Sequence, residues 1–461
     1  MYKKTEKKYR FRFWCAVILT LTTTGLFMYV WIRFVAANNT TGSLMGLGNI
    51  GMAAGLYIIL YLFCGRMVRA FKIGMERKAS TVAAQIIALL LTNVSELFLS
   101  LAIMGQFRFF FRLLWRYMLL WGVQSVLTTM LIVKMIDLYR RVIPPLQLLE
   151  VYGDHEDELY RKIDTVFYKY HIRERMHYTD PMINMTMDTC DAVLINDIPA
   201  EKQNDLIKEC FARGKRVYFV PKISDILSKS ADNLNLFDTP LYLCRNRGMN
   251  ASQWMIKRIF DVCASLLALI ILSPVFALTA LAIKLDDGGP VFFRQERCTI
   301  GGKRFMIIKF RSMIVDAEKD GRTHPAGEHD DRITRVGKFI RATRIDELPQ
   351  FVNILKGDMS VVGPRPERVE HVEMFTEQIP EFEFRNKAKG GLTGFAQVYG
   401  KYNTTALDKL KMDLIYITNF SLLMDFQIIL ETLKILLRKE STEGFSEIKA
   451  AQIHDYVSRE H

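Results

Sequence analysis

Residues 13–32 form a run of twenty residues without a charged side chain, and three further apolar runs follow at 47–64, 81–105 and 117–136. At about 1.5 Å of rise per residue, each approaches or exceeds the length needed to cross a hydrocarbon core roughly 30 Å thick. A secretory leader is the rival reading of the first run, which has a basic start at Lys3, Lys4, Lys7, Lys8, Arg10 and Arg12. That run is longer than a leader's apolar core, and three more follow it. The pattern therefore predicts four membrane-spanning helices within residues 1–143.

After Pro144-Pro145 the texture changes to short apolar strands alternating with polar helices. Strands are expected at Leu146–Tyr152, Ala192–Asn196 and 216–220, and helices at 156–170 and 200–213, which is the alternation of a small parallel α/β domain over 144–250. Its first turn holds one glycine, Gly153, among Asp154, Glu156, Asp157 and Glu158. Four carboxylates would repel a pyrophosphate, so a degenerate Rossmann-like scaffold is expected rather than a working nucleotide site.

A fifth uncharged run, 262–283, carries Ser273-Pro274 near its middle. Lys257 and Arg258 precede it and Lys284, Arg294, Arg297, Lys303 and Arg304 follow, so both flanks bear the basic signature of the cytoplasmic side. A hairpin over about 254–284 fits these flanks better than a Pro-kinked crossing. The expected break is at Ser273 and Pro274, where the ring removes an amide donor and the hydroxyl can satisfy a freed backbone group. The basic residues before and after the first two spans put the amino terminus and the α/β domain on the same, cytoplasmic side. Arg108, Arg112 and Arg116 in the outer loop count against this unless they snorkel to headgroups, and Glu96 within the third span is functional, a hydrogen-bonded helix contact or a protonated acid.

Composition changes the picture only in part. With 62 Lys and Arg against 49 Asp and Glu, the net charge of +13 suits nucleic acid, anionic lipid or a phosphorylated substrate. No nucleic-acid recognition motif or aromatic stacking array accompanies it, which argues against nucleic acid. The seven cysteines contain no CxxC pair and indicate neither a disulfide framework nor a zinc site. His324 and His329 flank a loop read as solvated surface rather than a metal site.

The most specific residues begin at Ile256. They run Lys257-Arg258-Ile-Phe260-Asp261, Ser273-Pro274, Gly289-Pro290, Lys309-Phe310-Arg311-Ser312-Met313, Thr334-Arg335-Val-Gly337 up to Arg341, Asp346-Glu347-Leu348-Pro349-Gln350, Gly357-Asp358-Met359-Ser360, Gly363-Pro364-Arg365-Pro366 and Gly391-Leu-Thr393-Gly394. In this order they resemble the bacterial sugar transferase family, the monotopic polyprenyl-phosphate phosphoglycosyltransferases, over roughly residues 253–445. The whole layout resembles the family's large members, with a four-helix transmembrane domain, a degenerate α/β domain, and an α-rich mixed catalytic domain over 251–461 anchored by a re-entrant helix-break-helix.

The resemblance implies transfer of a sugar 1-phosphate from a UDP-sugar to undecaprenyl phosphate, with release of UMP and initiation of exopolysaccharide or capsule assembly at the bacterial inner membrane, the catalytic domain facing the cytoplasm. Asp346 matches the nucleophile and Glu347 its partner, which helps hold Mg²⁺. Lys309, Arg311, Arg341 and Arg365 match basic positions expected at substrate phosphates, while Lys257 and Arg258 are expected at headgroups or the polyprenyl phosphate. Tyr399-Gly400-Lys401-Tyr402-Asn403 resembles a local variant bordering the sugar pocket, or is a surface turn. Glucose or galactose is favoured over an N-acetylated hexose. A homodimer or a polysaccharide-assembly complex is left open.

Asp346 also has a bland reading, as N-cap of a helix over 347–356 with Leu348, Phe351, Val352 and Leu355 on one face. The family usually has Ser where this chain has Arg344, which makes Thr343 an alternative cap. The rival functions are a nucleotide-binding regulator, which would need the missing glycine-rich turn, and a non-catalytic scaffold, which would have little reason to keep Asp346-Glu347 beside Pro364-Arg365-Pro366. A DxD glycosyltransferase is not matched by the spacing of Asp330-Asp331. Residues 426–437 suit either the bilayer interface or the core.

Overall fold

The computed structural model describes residues 2–39, 46–154, 159–244, 249–315, 317, 330–400 and 404–436. The chain divides into two compact units, Met1–Pro221 and Lys222–His461.

The first unit opens with four long helices, α1 (Tyr2–Val30), α2 (Leu47–Met67), α3 (Lys78–Met104) and α4 (Phe110–Val142), and each, α1 with the π-helical turn after it, is long and apolar enough to cross a membrane. With no water to compete, their association rests on packing and on polar side chains that bond between helices. Phe27 stacks on Tyr57 at 4.2 Å. Gln124 of α4 donates to Tyr57 Oη at 2.8 Å and to the Thr23 carbonyl at 2.9 Å, and accepts from Asn93 at 2.8 Å, tying all four helices through one amide. Glu96 is buried, with Oε1 unbonded. The Arg116 guanidinium lies 3.8 Å over the Phe34 ring.

The same unit continues as β1 (Leu146–Tyr152), α5 (Leu159–Asp164), β2 (Tyr170–His177), α6 (Ile183–Thr189), β3 (Ala192–Asn196), α7 (Ala200–Ala212) and β4 (Arg216–Phe219). The four strands form a parallel sheet in the order β2-β1-β3-β4. The helix expected over 156–170 ends early, at Asp164, and turns at 165–169 lead into β2, an unexpected strand whose polar sequence YHIRERMH sits at the sheet edge. Asp154 pairs with His177 at 3.0 Å, and Glu156, Asp157 and Glu158 lie outside the described residues.

The second unit runs α8 (Ile223–Lys229), the hairpin β5 (Asp232–Leu236) and β6 (Thr239–Leu243), then α9 (Ala251–Asp287), β7 (Phe292–Cys298), β8 (Arg304–Phe310), α10 (Arg335–Ala342), α11 (Gln350–Lys356), β9 (Ser360–Val362), α12 (Val369–Gln378), β10 (Gly391–Thr393), α13 (Phe395–Tyr399), α14 (Ala406–Thr418) and α15 (Leu422–Leu436). β7 and β8 are antiparallel, and β9 and β10 form a short parallel pair. The core gathers Phe305, Ile307, Ile354, Met359, Val362, Tyr416 and Ile428.

α9 is the fifth helix apolar enough to span, and it continues through Pro274 for 37 residues. In place of an interruption, Ser273 Oγ bonds the Ile270 carbonyl at 2.8 Å inside a helix that carries on to Asp287. Both halves of α9 are bonded to the rest of this unit. Near its start Asp261 Oδ1 accepts from Ser360 Oγ at 3.0 Å and Val361 N at 2.9 Å; near its end Phe276 packs on Phe310, and Asp286 accepts from Val336 N at 3.1 Å. Between them Leu266, Leu267, Ile270 and Ile271 are exposed. α15 is two-faced, burying Asp425, Ile428, Leu430 and Lys434 and exposing Leu423, Phe426 and Leu433, so over its described length it is both core and apolar surface.

Candidate active site

Three segments of the second unit meet at one carboxylate. Strand β8 brings Lys309, a 3₁₀ turn at Ile345–Glu347 brings Asp346 and Glu347, and the loop after β9 brings Arg365. Lys309 Nζ lies 3.1 Å from Glu347 Oε1, Arg365 Nη2 3.4 Å, and Arg344 Nη1 3.8 Å. Burial alone would raise the Glu347 pKa, but Lys309, Arg365 and Arg344 outweigh it and hold the carboxyl well below the usual range. Asp346 goes the other way: burial and the Glu347 charge raise its pKa, and Lys309, Arg344 and Arg341 only partly offset them. Its Oδ1 is sheltered from solvent and accepts no hydrogen bond. A buried acceptor left empty costs roughly 1–3 kcal/mol, so Asp346 is held in a state that an arriving cation or electrophile would relieve.

The bland reading of Asp346 does not match this geometry. α11 begins at Gln350 with Pro349 as its N-cap and no side-chain capping bond. Thr343 is likewise no N-cap, since its hydroxyl donates back to the Phe339 carbonyl at 2.8 Å. Arg344 opens the 3₁₀ turn in the left-handed region, φ +59°, a conformation that costs a non-glycine residue roughly 1–2 kcal/mol.

The supports of the site come from residues that no sequence pattern marked for that role. Asn353 of α11 accepts from Ile308 N at 2.9 Å and donates to the Met306 carbonyl at 2.8 Å, which staples the helix behind the dyad to the strand carrying Lys309. Gly391 of β10 lies so close to β9 that a Cβ would drive into the Gly363 amide, and its own amide donates to the Pro364 carbonyl at 2.8 Å. Arg385, almost wholly buried, donates to the Arg365 carbonyl at 3.0 Å and to Asp413 Oδ2 at 2.8 Å. Burial, opposed by Arg385, pushes the Asp413 carboxyl up to about 6. Arg297 donates to the Pro366 carbonyl at 3.3 Å, and burial with the nearby Arg365 charge lowers its pKa to about 10. Arg344 left a visible signal as a departure inside a motif and Gly391 as a motif residue; the contacts of the others reach across 20 to 69 residues of sequence, beyond any local pattern.

Arg341 sits in the last turn of α10 and reaches Asp346 through its charge. Three other expected residues are engaged elsewhere. Arg311 is 6% exposed along its side chain and forms a two-pronged pair with Asp287, Nη1 to Oδ2 at 2.7 Å, which takes up the fork expected at a phosphate. Lys257, expected at headgroups, is buried with Nζ 2.6 Å from Asp425. Arg258 donates to the Ile354 and Leu355 carbonyls at 2.6 and 2.7 Å, closing the end of α11. These three fasten α9 to its own domain. Residues 401–403 of the Tyr399–Asn403 segment, and His324 and His329, lie outside the described residues.

The profile of the bacterial sugar transferase family matches residues 252–439. An exopolysaccharide production protein of Rhizobium leguminosarum bv. phaseoli is 40% identical over 186 residues, 39% of this chain and 93% of that protein. The chain belongs to the bacterial sugar transferase family. Two longer members are also similar: a UDP-N-acetylgalactosamine-undecaprenyl-phosphate N-acetylgalactosaminephosphotransferase of Aeromonas hydrophila, 38% identical over 54% of this chain and 59% of its own length, and a UDP-glucose:undecaprenyl-phosphate glucose-1-phosphate transferase of Klebsiella pneumoniae, 35% identical over 62% and 58%. The match thus spans somewhat over half of these two relatives, and the cluster around Asp346 lies within the residues matched by the family profile.

Proposed function

We propose that the chain transfers a sugar 1-phosphate from a UDP-sugar to undecaprenyl phosphate, the first step of an exopolysaccharide or related glycan. The observation that carries this reading is the sheltered, unbonded Asp346 Oδ1 beside a Glu347 already neutralised by three cations. A carboxylate so placed can attack the phosphorus that bears the sugar. The bond from that phosphorus to the UMP oxygen breaks, UMP leaves, and an aspartyl phosphosugar remains. An oxygen of undecaprenyl phosphate then attacks the same phosphorus and frees Asp346, leaving a lipid diphosphate sugar. Arg365 and Arg341 would face the phosphate oxygens, where positioning and charge neutralisation supply most of the rate.

The dyad also fits Mg²⁺, which takes one or two carboxylates and completes its shell with substrate phosphates and water. The empty Asp346 Oδ1 is suited to it, and among the described residues no group of three or more His, Cys, Asp or Glu forms a closed protein cage. Asp346 and Glu347 would hold the ion, which when bound supplies neutralisation of the diphosphate charge.

Attachment of both halves of α9 to one domain supports a helix that enters and leaves by the same face, with its exposed middle in the bilayer. Since UDP-sugars are cytoplasmic, the domain would face the cytoplasm at the inner membrane. The names of the relatives divide between glucose and N-acetylgalactosamine, so the donor is to be tested across both classes. Membranes containing the protein, given undecaprenyl phosphate and labelled UDP-glucose, UDP-galactose or UDP-N-acetylgalactosamine, should yield a lipid diphosphate sugar and UMP with at least one donor. Absence of product with every donor, from protein shown to be folded, refutes the assignment.

A further inference from the structure

A cavity in the first unit lies far in sequence from the dyad. It holds about 310 Å³ and is lined from both parts of that unit: Lys8 and Arg12 of α1, Tyr139 of α4, Lys169 just before β2, and Arg216 and Tyr218 of β4. Four cations therefore surround a space at the lower end of the range for small-ligand pockets, and none of its lining side chains is acidic.

The cations are held in place by the fold. Arg12 donates to Tyr139 Oη at 3.0 Å and to the Ile73 carbonyl at 3.3 Å, with its guanidinium 5.6 Å from the Tyr139 ring centroid. Lys169 Nζ lies 4.6 Å over the Tyr170 ring. Burial and the Arg12 charge together lower the Lys169 pKa, against the opposing effect of Tyr218 and Glu76. Like charges brought together in partial burial repel, and an anion between them removes that cost.

The position within the sheet is informative. Ligands of open parallel sheets bind beyond the carboxyl ends of the strands, where this domain presents Gly153 and Asp154. The cavity is at the opposite edge, since Leu146, Tyr170 and Arg216 are the first residues of β1, β2 and β4. It is also at the end of the helix bundle where Arg12, the turn at Gly74 and the end of α4 come together. The degenerate nucleotide edge and the basic cavity thus lie on different ends of one sheet.

We propose that this cavity is a binding site for a phosphate ester, held by Lys8, Arg12, Lys169 and Arg216 between the membrane helices and the parallel sheet. A lipid headgroup and a small soluble phosphate share that chemistry. Bound there, the phosphate bridges α1 to β2 and β4 and fixes the α/β domain on the bundle.

The test uses the full chain in maltoside detergent, which carries no phosphate, and reads backbone hydrogen exchange over residues 166–172 and 214–220. One arm adds phosphatidylglycerol and another inorganic pyrophosphate. Protection by the first assigns the phosphate to a headgroup, and protection by the second alone assigns it to a soluble ester; either supports the site. Lys169→Gln with Arg216→Gln should raise the concentration needed for protection about tenfold or more, as expected for the loss of charge-assisted bonds. Sugar-phosphate transfer by this double variant serves as the control that it is folded. No protection from either probe, or protection that the double variant leaves unchanged, overturns the proposal.

Discussion

Two of the lysine–carboxylate pairs in the second unit look alike on paper and differ in everything around them. Lys257 and Asp425 are 2.6 Å apart, and Asp425 Oδ1 also accepts from Tyr416 Oη at 2.8 Å, so one cation and one hydroxyl satisfy one acid in the interior. Lys309 and Glu347 are 3.1 Å apart, but Arg365 and Arg344 crowd the same oxygen and Asp346 stands beside it with an unbonded atom. The first pair is complete and fastens α9 to α15. The second sets three cations on one Glu347 oxygen and leaves an Asp346 acceptor over, so of the two pairs only this one lacks something that a substrate could supply.

The largest effect should come from the leftover acceptor. Asp346→Asn is expected to lower transfer at least about a thousandfold, the order of loss when a nucleophile is removed, while the thermal midpoint of the purified protein stays level or rises. Near-normal transfer by Asp346→Asn would remove the nucleophile assignment.

The complete pair should respond in the opposite way. Removing one partner of a buried ion pair costs about 3–5 kcal/mol because the other charge is stranded, so Lys257→Met should lower the unfolding midpoint strongly. The double change Lys257→Met with Asp425→Leu should recover much of the loss, and the protein that remains folded should retain transfer. If Lys257→Met is as stable as the parent but inactive, the lysine belongs with the chemistry instead.

Acidity separates the two carboxylates of the dyad. The Asp346 pKa is raised in the folded protein, so the folded state binds more protons than the unfolded one between the ordinary and the raised value. Its contribution to stability is therefore greatest at low pH and declines as pH rises through that window. Glu347 is depressed; its contribution is present above the ordinary carboxylate pKa and is lost as pH falls toward the folded value. Because attack requires the ionised form, transfer should climb with pH along an acid limb displaced above the ordinary aspartate range. A pH–rate profile flat down to that range would contradict the raised pKa.

The smallest effect concerns Arg344. Arg344→Gly should gain up to about 1 kcal/mol from relief of the left-handed backbone, while loss of the half-exposed cation farthest of the three from Glu347 costs a few-fold in rate. Calorimetry and initial rates on the same preparation check both halves.

What was legible in the sequence was whatever repeats locally. The four apolar runs became α1 to α4, and the strands Leu146–Tyr152 and Ala192–Asn196 match residue for residue, the second because a buried parallel strand is a nearly unbroken apolar run. β2 was missed because an edge strand can be polar. The dyad was visible through its ordered motifs, and Lys309 and Arg365 do meet Glu347. The roles of Lys257, Arg258 and Arg311 were not legible, since a basic residue beside an apolar run looks the same whether it faces a headgroup or a carboxylate 168 residues away. Asn353 and Arg385 gave no signal because their partners, backbone atoms for Asn353 and the Arg365 carbonyl with Asp413 for Arg385, lie on other segments.

Fastening α9 at both ends has a mechanical consequence. A domain joined to its membrane helix by one flexible linker can swing and bob, and its working height is then a thermal average. Here Lys257 and Asp261 hold one end, and Asp287 with Arg311 holds the other. Two mounting points take away the swing as a hinge with two pins does. The distance from the helix to the Asp346 carboxylate is thus written in side chains rather than in linker length, and under the proposed function a two-dimensional search along the surface would be enough to deliver a lipid phosphate at the right level.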